Sequence, residues 1–285
     1  MRISLSRVLT VLYLSFMPLA AAFSQGIEVG LFLGGSNYFG DLSNDGVMLD
    51  KTHPAAAIIG RYNLGEKWAA KGFVGYGQIS GDDKNANTAV KKSRNLSFYS
   101  NVIEVSAQLE YNLIRNNYRY TQTRKVIPYL FAGIGIFNYN PKTKLMGEEV
   151  ELMPLGTEGQ GTTTYNDRQK YALTQICIPL GIGFKKRIGK RVSIGLELGT
   201  RYTYTNYLDD IGSTYADPRV VERASGKKAA LLSDRSLETS PDGRTVFVDG
   251  DKRSIKKFNI NDMYLMGGFT FTYIFPNAGM RCPKF

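Results

Sequence analysis

The chain has 285 residues, of which 43% are hydrophobic and 12% aromatic, with 30 glycines and a net charge of +11. That basic balance alone admits nucleic acid as a partner, but the sequence holds no basic helix and no known nucleic-acid motif, and its N-terminus reads as an export signal. No apolar run of ~18 residues follows the signal, which excludes a membrane helix and leaves an exported soluble β protein or a β-barrel.

Arg2 and Arg7 precede an apolar, small-residue stretch from Val8 to Ala22. Ala20-Ala21-Ala22 and Ala22-Phe23-Ser24 both offer cleavage sites of the small-x-small type. We therefore expect a signal peptide over residues 1–24 and a mature chain from residue 25. No Cys follows the apolar stretch, so the signal is not of the lipoprotein kind.

The first strand is expected from Ile27 to Tyr38. Ile27, Val29, Leu31 and Leu33 share one face, and Glu28, Gly30, Phe32 and Gly34 share the other. A carboxylate on the inner face is costly in a dry sandwich core and ordinary inside a hydrated barrel. A second strand is expected from Ala55 to Leu64, then a tight turn at Gly65-Glu66-Lys67. A third runs from Trp68 to Ile79, where Gly72, Gly75 and Gly77 suggest close inner packing. In the fourth, Ile103, Val105, Ala107, Leu109, Tyr111 and Leu113 alternate with Glu104, Ser106, Gln108, Glu110 and Asn112. That alternation outlasts an ordinary globular strand and suits the ~9–11 residues of a membrane strand.

The fifth strand is expected over Val126 to Asn140, the sixth over Tyr171 to Lys185 and the seventh over Arg191 to Tyr207. In the eighth, aromatic residues at Phe269, Phe271, Tyr273 and Phe275 alternate with Thr270, Thr272 and Ile274. Such a face suits a lipid–water boundary, and Gly268-x-x-Phe271-x-Tyr273 resembles the C-terminal insertion signal of bacterial outer-membrane barrels. The links after strands two, four and six are short. Those after one, three, five and seven are long and polar, as in outer-membrane barrels with short periplasmic turns and long outer loops. The expected fold is thus all-β: an eight-stranded antiparallel transmembrane outer-membrane β-barrel over residues 25–275, with a periplasmic tail over 276–285 and both chain ends in the periplasm. Ten strands remain open if the last long link forms a hairpin between Pro241-Asp242-Gly243 and Val248.

Several stretches then resemble a known family. They are Gly34-Gly35-Ser36-Asn37-Tyr38-Phe39-Gly40-Asp41-Leu42, Pro128 to Gly135, Leu152-Met153-Pro154-Leu155-Gly156-Thr157-Glu158-Gly159-Gln160-Gly161, Tyr207 to Tyr215 and Leu231 to Ser236. Together they resemble the PorG family, outer-membrane components of the type IX secretion system of Bacteroidetes. The resemblance implies a structural role beside a periplasmic ring, with a PorK-like ring lipoprotein, a PorN-like periplasmic protein and outer-membrane lipid as partners. The other reading is a general small barrel or adhesin whose long loops bind outside the cell.

Catalysis has little to work with, and an enzyme is not expected. His53 is the single histidine; no Ser and acid stand near it in triad-like order, and it reads as a solvated loop residue. The chain offers no ligand-spaced His and Cys cluster for a metal and no phosphate cradle, so no cofactor is expected. Asp209-Asp210 and Asp249-Gly250-Asp251 read as turn chemistry. Glu28, Arg61, Glu104, Glu110, Glu197 and Arg201 face inward as paired charges of a filled lumen. Lys185, Lys186, Arg187, Lys190 and Arg191 crowd the third short turn, either as a solvated turn or as a periplasmic docking patch.

Cys177 shares its face with Gln175, Gly181 and Gly183 and points into the barrel. At ~3.3 Å per residue and a ~40° tilt it stands roughly 25 Å above the periplasmic rim, out of bridging reach of Cys282 in the tail. Cys282 is then either a free thiol or the hook of an intermolecular disulfide, for which the resemblance suggests the ring lipoprotein.

Overall fold

The computed structural model describes residues 27–43, 48–116, 125–189, 191–238, 240, 246–256 and 260–275. In chain order the strands are β1 (Ile27–Phe39), β2 (His53–Asn63), β3 (Trp68–Asp82), β4 (Ser97–Asn112), β5 (Val126–Tyr139), β6 (Lys142–Leu145), β7 (Glu148–Glu151), β8 (Thr174–Ile188), β9 (Val192–Thr203) and β10 (Met263–Phe275). Eight of them form an antiparallel meander in which each barrel strand pairs with the next: β1–β2, β2–β3, β3–β4, β4–β5, β5–β8, β8–β9 and β9–β10. Pairing of β1 with β10, from Ile27↔Phe275 to Phe39↔Met263, closes the sheet on itself. Closure removes the free edges that an open sheet would expose, and the eight-stranded antiparallel barrel expected from the alternation is the fold.

The period of two sorts every strand into an outer and an inner face. Leu31, Ile58, Val74, Val105, Ile134, Ile182, Leu198 and Phe269 lie on the outside of the eight strands, each between 47% and 62% exposed. A continuous apolar belt of this kind is far larger than a water-soluble monomer tolerates. Inside, Phe32, Ile59, Phe73, Tyr129, Phe131, Phe137, Tyr139 and Tyr264 are buried beside charged side chains. Small residues make room for these rings: a β-carbon at Gly181 or Gly199 would overlap Phe131, and one at Gly183 would overlap Tyr129. Of the three glycines noted on the third strand, Gly75 and Gly77 face such contacts with Phe73 and Ser36, whereas Gly72 faces outward, where a β-carbon would meet only the Gly60 carbonyl at 3.8 Å.

Strand bounds depart from expectation at the long-loop end. β10 begins at Met263 rather than Phe269, because Gly267-Gly268 interrupts the aromatic alternation while still pairing with Gly34 and Gly35. β9 ends at Thr203, short of Tyr207. The additional hairpin is β6–β7, in the third long link. Residues 241–245 lie outside the described residues, and 246–248 form no strand. The long links also carry three short helices, α1 (Ala89–Arg94), α2 (Pro218–Ser225) and α3 (Lys227–Ser233). Leu42, Leu96, Leu152, Leu208, Ile211 and Leu232, drawn from all four long links, join the barrel's inner apolar cluster. The long links therefore fold into a cap that continues the core rather than extending separately.

Candidate functional site

The lower lumen is filled by side chains that alternation turns inward from all eight barrel strands, six of which supply its charges. Arg61 Nη1 lies 2.7 Å from Glu28 Oε2, and Arg61 Nε lies 2.8 Å from Glu110 Oε2. Glu110 also takes Lys185 at 3.0 Å and Lys71 at 3.6 Å, and Lys71 reaches Glu197 at 2.8 Å. Asn63 and Thr272 donate to Glu28, and the Tyr129 hydroxyl donates to Glu197 at 2.8 Å. The Lys71 ammonium sits 4.2 Å from the centre of the Phe131 ring. Three carboxylates thus meet three cations, all nearly fully buried.

One level higher, Arg201 Nε lies 2.9 Å from Glu104 Oε2, which also accepts from the Tyr264 hydroxyl. Ser106 donates to the other oxygen at 2.7 Å. Buried charge is tolerated only where it is paired and hydrogen-bonded, and each of these charges is. Such an arrangement fills space and braces opposite walls.

All six lumen charges expected from the sequence are therefore inside the barrel and in ion pairs. Two more belong with them. Lys71 shares the inward parity of Ala69 and Phe73 on β3, a signal that was present in the period of two. Lys185, expected on the third short turn, instead lies in the lumen, because it has the parity of Gly183 rather than of Phe184. Of the remaining turn cations, Lys186 and Arg191 are exposed and Arg187 is half-buried, while Lys190 lies outside the described residues. Arg191 Nη1 donates to the Tyr273 hydroxyl at 3.0 Å. Cys177 is fully buried in the lumen wall, with the Tyr264 hydroxyl 3.9 Å from its sulfur. Cys282 and the stretches expected as signal peptide and tail lie outside the described residues.

A second charged centre lies in the cap. Carboxylate oxygens of Asp41, Asp209 and Asp262 come within 4.8 Å of one another, all buried. Lys256 Nζ stands 2.7 Å from Asp262 Oδ1 and 3.6 Å from Asp41 Oδ2. Tyr38 donates to Asp209 at 2.6 Å, Ile255 N to Asp41 at 2.6 Å and Leu208 N to Asp262 at 3.1 Å. One ammonium against three carboxyls leaves the group short of positive charge. Burial raises Asp262 to about 7, against the pull of Lys256 and with a further push from Asp41. Burial and the charges of Asp262 and Asp41 hold Asp209 well above the usual carboxylate range. Asp41 is also raised by burial, in spite of Lys256 and Arg94. The trio is a candidate cation-binding set in its residue types, but Lys256 already lies against two of the three. We read it as a clasp between the first and fourth long links.

Two buried arginines complete the clasp. Arg94 holds Asp83 through two bonds of 2.6 and 2.8 Å and reaches the Asp41 carbonyl at 3.3 Å. Arg253 donates to Thr157, to Glu158 and to the Asp210 carbonyl, at 3.1, 3.2 and 2.7 Å. Glu158 in turn accepts from Ser213 Oγ at 2.6 Å. The loop stretches that carry the family resemblance, around Asp41, Thr157-Glu158, Asp209 to Ser213 and Leu232, thus meet in one place. Asp249 and Asp251 behave as turn residues, accepting from the Tyr165 hydroxyl and from Val248 N.

His53 departs from its expected solvated state. It opens β2, half-buried, with Nε2 2.7 Å from Ser80 Oγ. No carboxylate pairs with it among the described residues, so the contact lacks the third member that would orient a base.

With this geometry in view, the chain can be set beside known proteins. A search of curated proteins finds no match. Among solved structures, the N-terminal barrel domain of Pseudomonas aeruginosa OprF is similar at 10% identity, over 88% of this chain and 98% of that one, with a TM-score of 0.36. The attachment invasion locus protein Ail of Yersinia pestis is similar at 11% identity, over 88% and 97%, with a TM-score of 0.36. Neisserial surface protein A is similar at 10% identity, over 87% and 96%, with a TM-score of 0.39. The architecture stated above rests on the strand pairings of this chain, not on these likenesses. A family model described as a domain of unknown function, DUF6089, matches residues 6–222, and the chain belongs to that family.

Proposed function

We propose that the protein is an integral outer-membrane barrel with a structural role, holding a periplasmic assembly against the membrane rather than passing solute. The apolar belt around a closed barrel supports insertion in lipid, where only structures without free backbone edges are stable. The observation that carries the structural role is the filled interior: among the described residues, eight paired charges, four of each sign, lie beneath a folded cap whose apolar side chains join the barrel's inner cluster. In this reading the short turns face the periplasm and the folded cap faces outward.

The resemblance to the PorG family supports a place in a type IX secretion system, with a PorK-like ring lipoprotein and a PorN-like protein as partners at the short-turn end. Pull-down of the tagged protein from solubilised outer membranes tests this. Co-purification of a PorK-like lipoprotein, retained when the β6–β7 hairpin is deleted, supports the ring anchor. Failure to recover it contradicts that role. The second reading, a barrel whose loops bind outside the cell, is favoured by the ordered cap, and it predicts that deleting the hairpin changes an extracellular binding activity.

A further inference from the structure

Among the described residues, the exposed short-turn end of the barrel is predominantly basic. Among the described residues there, Lys67, Arg115, Lys125, Lys186, Arg187 and Arg191 face a single acid, Glu66, whose closest approach to Arg115 is 3.8 Å. The opposite end mixes signs on its exposed surface, with Glu148, Glu149, Glu222 and Asp251 beside Lys144, Lys227, Lys228 and Lys252.

Three of the cations at the short-turn end are set by the fold on the outer wall. Lys186 has the outward parity of β8, between Phe184 and Ile188, which are 46% and 52% exposed. A lysine in an apolar outer column keeps its charge solvated only by reaching along the wall to the membrane boundary. Lys67 Nζ lies 3.1 Å from the Tyr111 hydroxyl and 5.3 Å from the centre of that ring. Tyr111 packs at 4.7 Å against Trp68, which faces outward and is the single tryptophan of the chain. Arg191 donates to the Tyr273 hydroxyl, and Tyr273 packs against Phe275 at 5.0 Å, both of them outward-facing. Aromatic rings of this kind mark the headgroup level of a membrane.

These cations stand at two separate places on the barrel. Lys67 lies by β3 and β4, and Lys186 and Arg191 flank the β8–β9 turn, where Arg191 reaches Tyr273 on β10. A protein partner docking on one side would contact one of these places. Lipid surrounds them all.

We propose that this rim binds the phosphate groups of anionic phospholipids in the leaflet at the short-turn end, with Lys67, Lys186 and Arg191 as the charged contacts and Trp68, Tyr111 and Tyr273 beside them. The proposal rests on the reading of the barrel as membrane-spanning and is independent of the secretion role. It also divides the basic run at the third turn: Lys185 braces the lumen, and Lys186 and Arg191 turn to lipid, which leaves the end face of the turns for a protein.

Trp68 reports on the Lys67 site directly. The full chain is folded into phosphatidylcholine vesicles with a minor share of phosphatidylglycerol, with bromine near the headgroup on one lipid or the other. Stronger quenching of Trp68 by the brominated phosphatidylglycerol, beyond its share of the bilayer, is expected. Loss of one rim cation is worth about a fivefold drop in local preference. Lys67→Gln should therefore reduce the preference by about that factor at low salt, Lys67→Arg should keep it, and Lys144→Gln, at the far end, should leave it unchanged. For the rest of the rim, mass spectrometry of the detergent-extracted protein should show less retained phosphatidylglycerol in Lys186→Gln/Arg191→Gln than in the unaltered chain.

Equal quenching by the two lipids, or a preference that survives Lys67→Gln, overturns the proposal. So does a rim that ignores phosphatidylglycerol but binds an acidic periplasmic protein. An unheated gel band checks folding of each variant. A chain that never inserts brings down the membrane reading itself, whereas one that inserts without lipid preference brings down this proposal alone.

Discussion

Arg61 on β2 and Glu110 on β4 meet across the barrel interior at 2.8 Å, both fully buried. Glu110 is the centre of the lower lumen, because Lys71 and Lys185 converge on the same carboxylate. Glu110→Gln keeps the shape of the side chain and strips the charge from three cations at once. Breaking a buried pair from one side costs about 3–5 kcal/mol. The variant should lose the folded, unheated gel band at a clearly lower urea concentration than the unaltered chain. An unchanged midpoint would mean that water, not Glu110, satisfies those cations.

The same packing makes the barrel a poor conduit. Tyr129, Phe131, Phe137, Tyr139 and Tyr264 are buried among the ion pairs, so bulky side chains stand where a hydrated ion would have to pass. Protein reconstituted in planar bilayers should show no stable conductance on the nanosiemens scale. A large, persistent open channel would contradict the filled lumen and the structural role built on it.

The cap should respond to pH in the sense opposite to ordinary acid denaturation. Burial raises Asp41, Asp209 and Asp262 above the ordinary 3.8, Asp262 to about 7. A carboxyl with a raised folded value contributes its full stability while protonated in both states, below pH ~4, and loses it as pH climbs through the folded value. Lys256 and Arg94 offset part of the repulsion, and Tyr38 donates to Asp209. Hydrogen exchange, corrected for intrinsic rates, should thus show the segment around Leu208 and Ile255 best protected in mild acid and loosening toward and above pH 7. Asp262→Asn should flatten that dependence. Protection that rises with pH would overturn the clasp.

Much of the barrel could be read before the structure, because one rule, alternation, governs both its walls. It placed Glu28, Glu104, Glu110, Glu197, Arg61 and Arg201 inside and the apolar belt outside. The same rule applied to Lys71 and Lys185 would have found both. Lys185 was hidden by the run of basic residues that follows it, whose charge suggested a turn. The cap was not legible in this way. Asp41, Asp209 and Asp262 come from three separate places in the chain, and no local period links them. Only closure of β1 on β10 brings Asp41 and Asp262, which flank those strands, to the same end. A hairpin in the fourth long link was an open alternative on its turn residues, of which 241–245 lie outside the described residues. One forms in the third long link at Met146-Gly147, where both residues adopt positive φ and a tight reversal.

The account depends most on the barrel spanning a membrane, and fractionation tests that directly. Membranes from cells making the protein are washed in alkaline carbonate, and the pellet is run on a gel with and without heating. The account predicts that the protein stays in the pellet and that the unheated sample migrates faster than the heated one, as a closed barrel resists detergent until boiled. Release into the wash, with no difference between heated and unheated lanes, would contradict it.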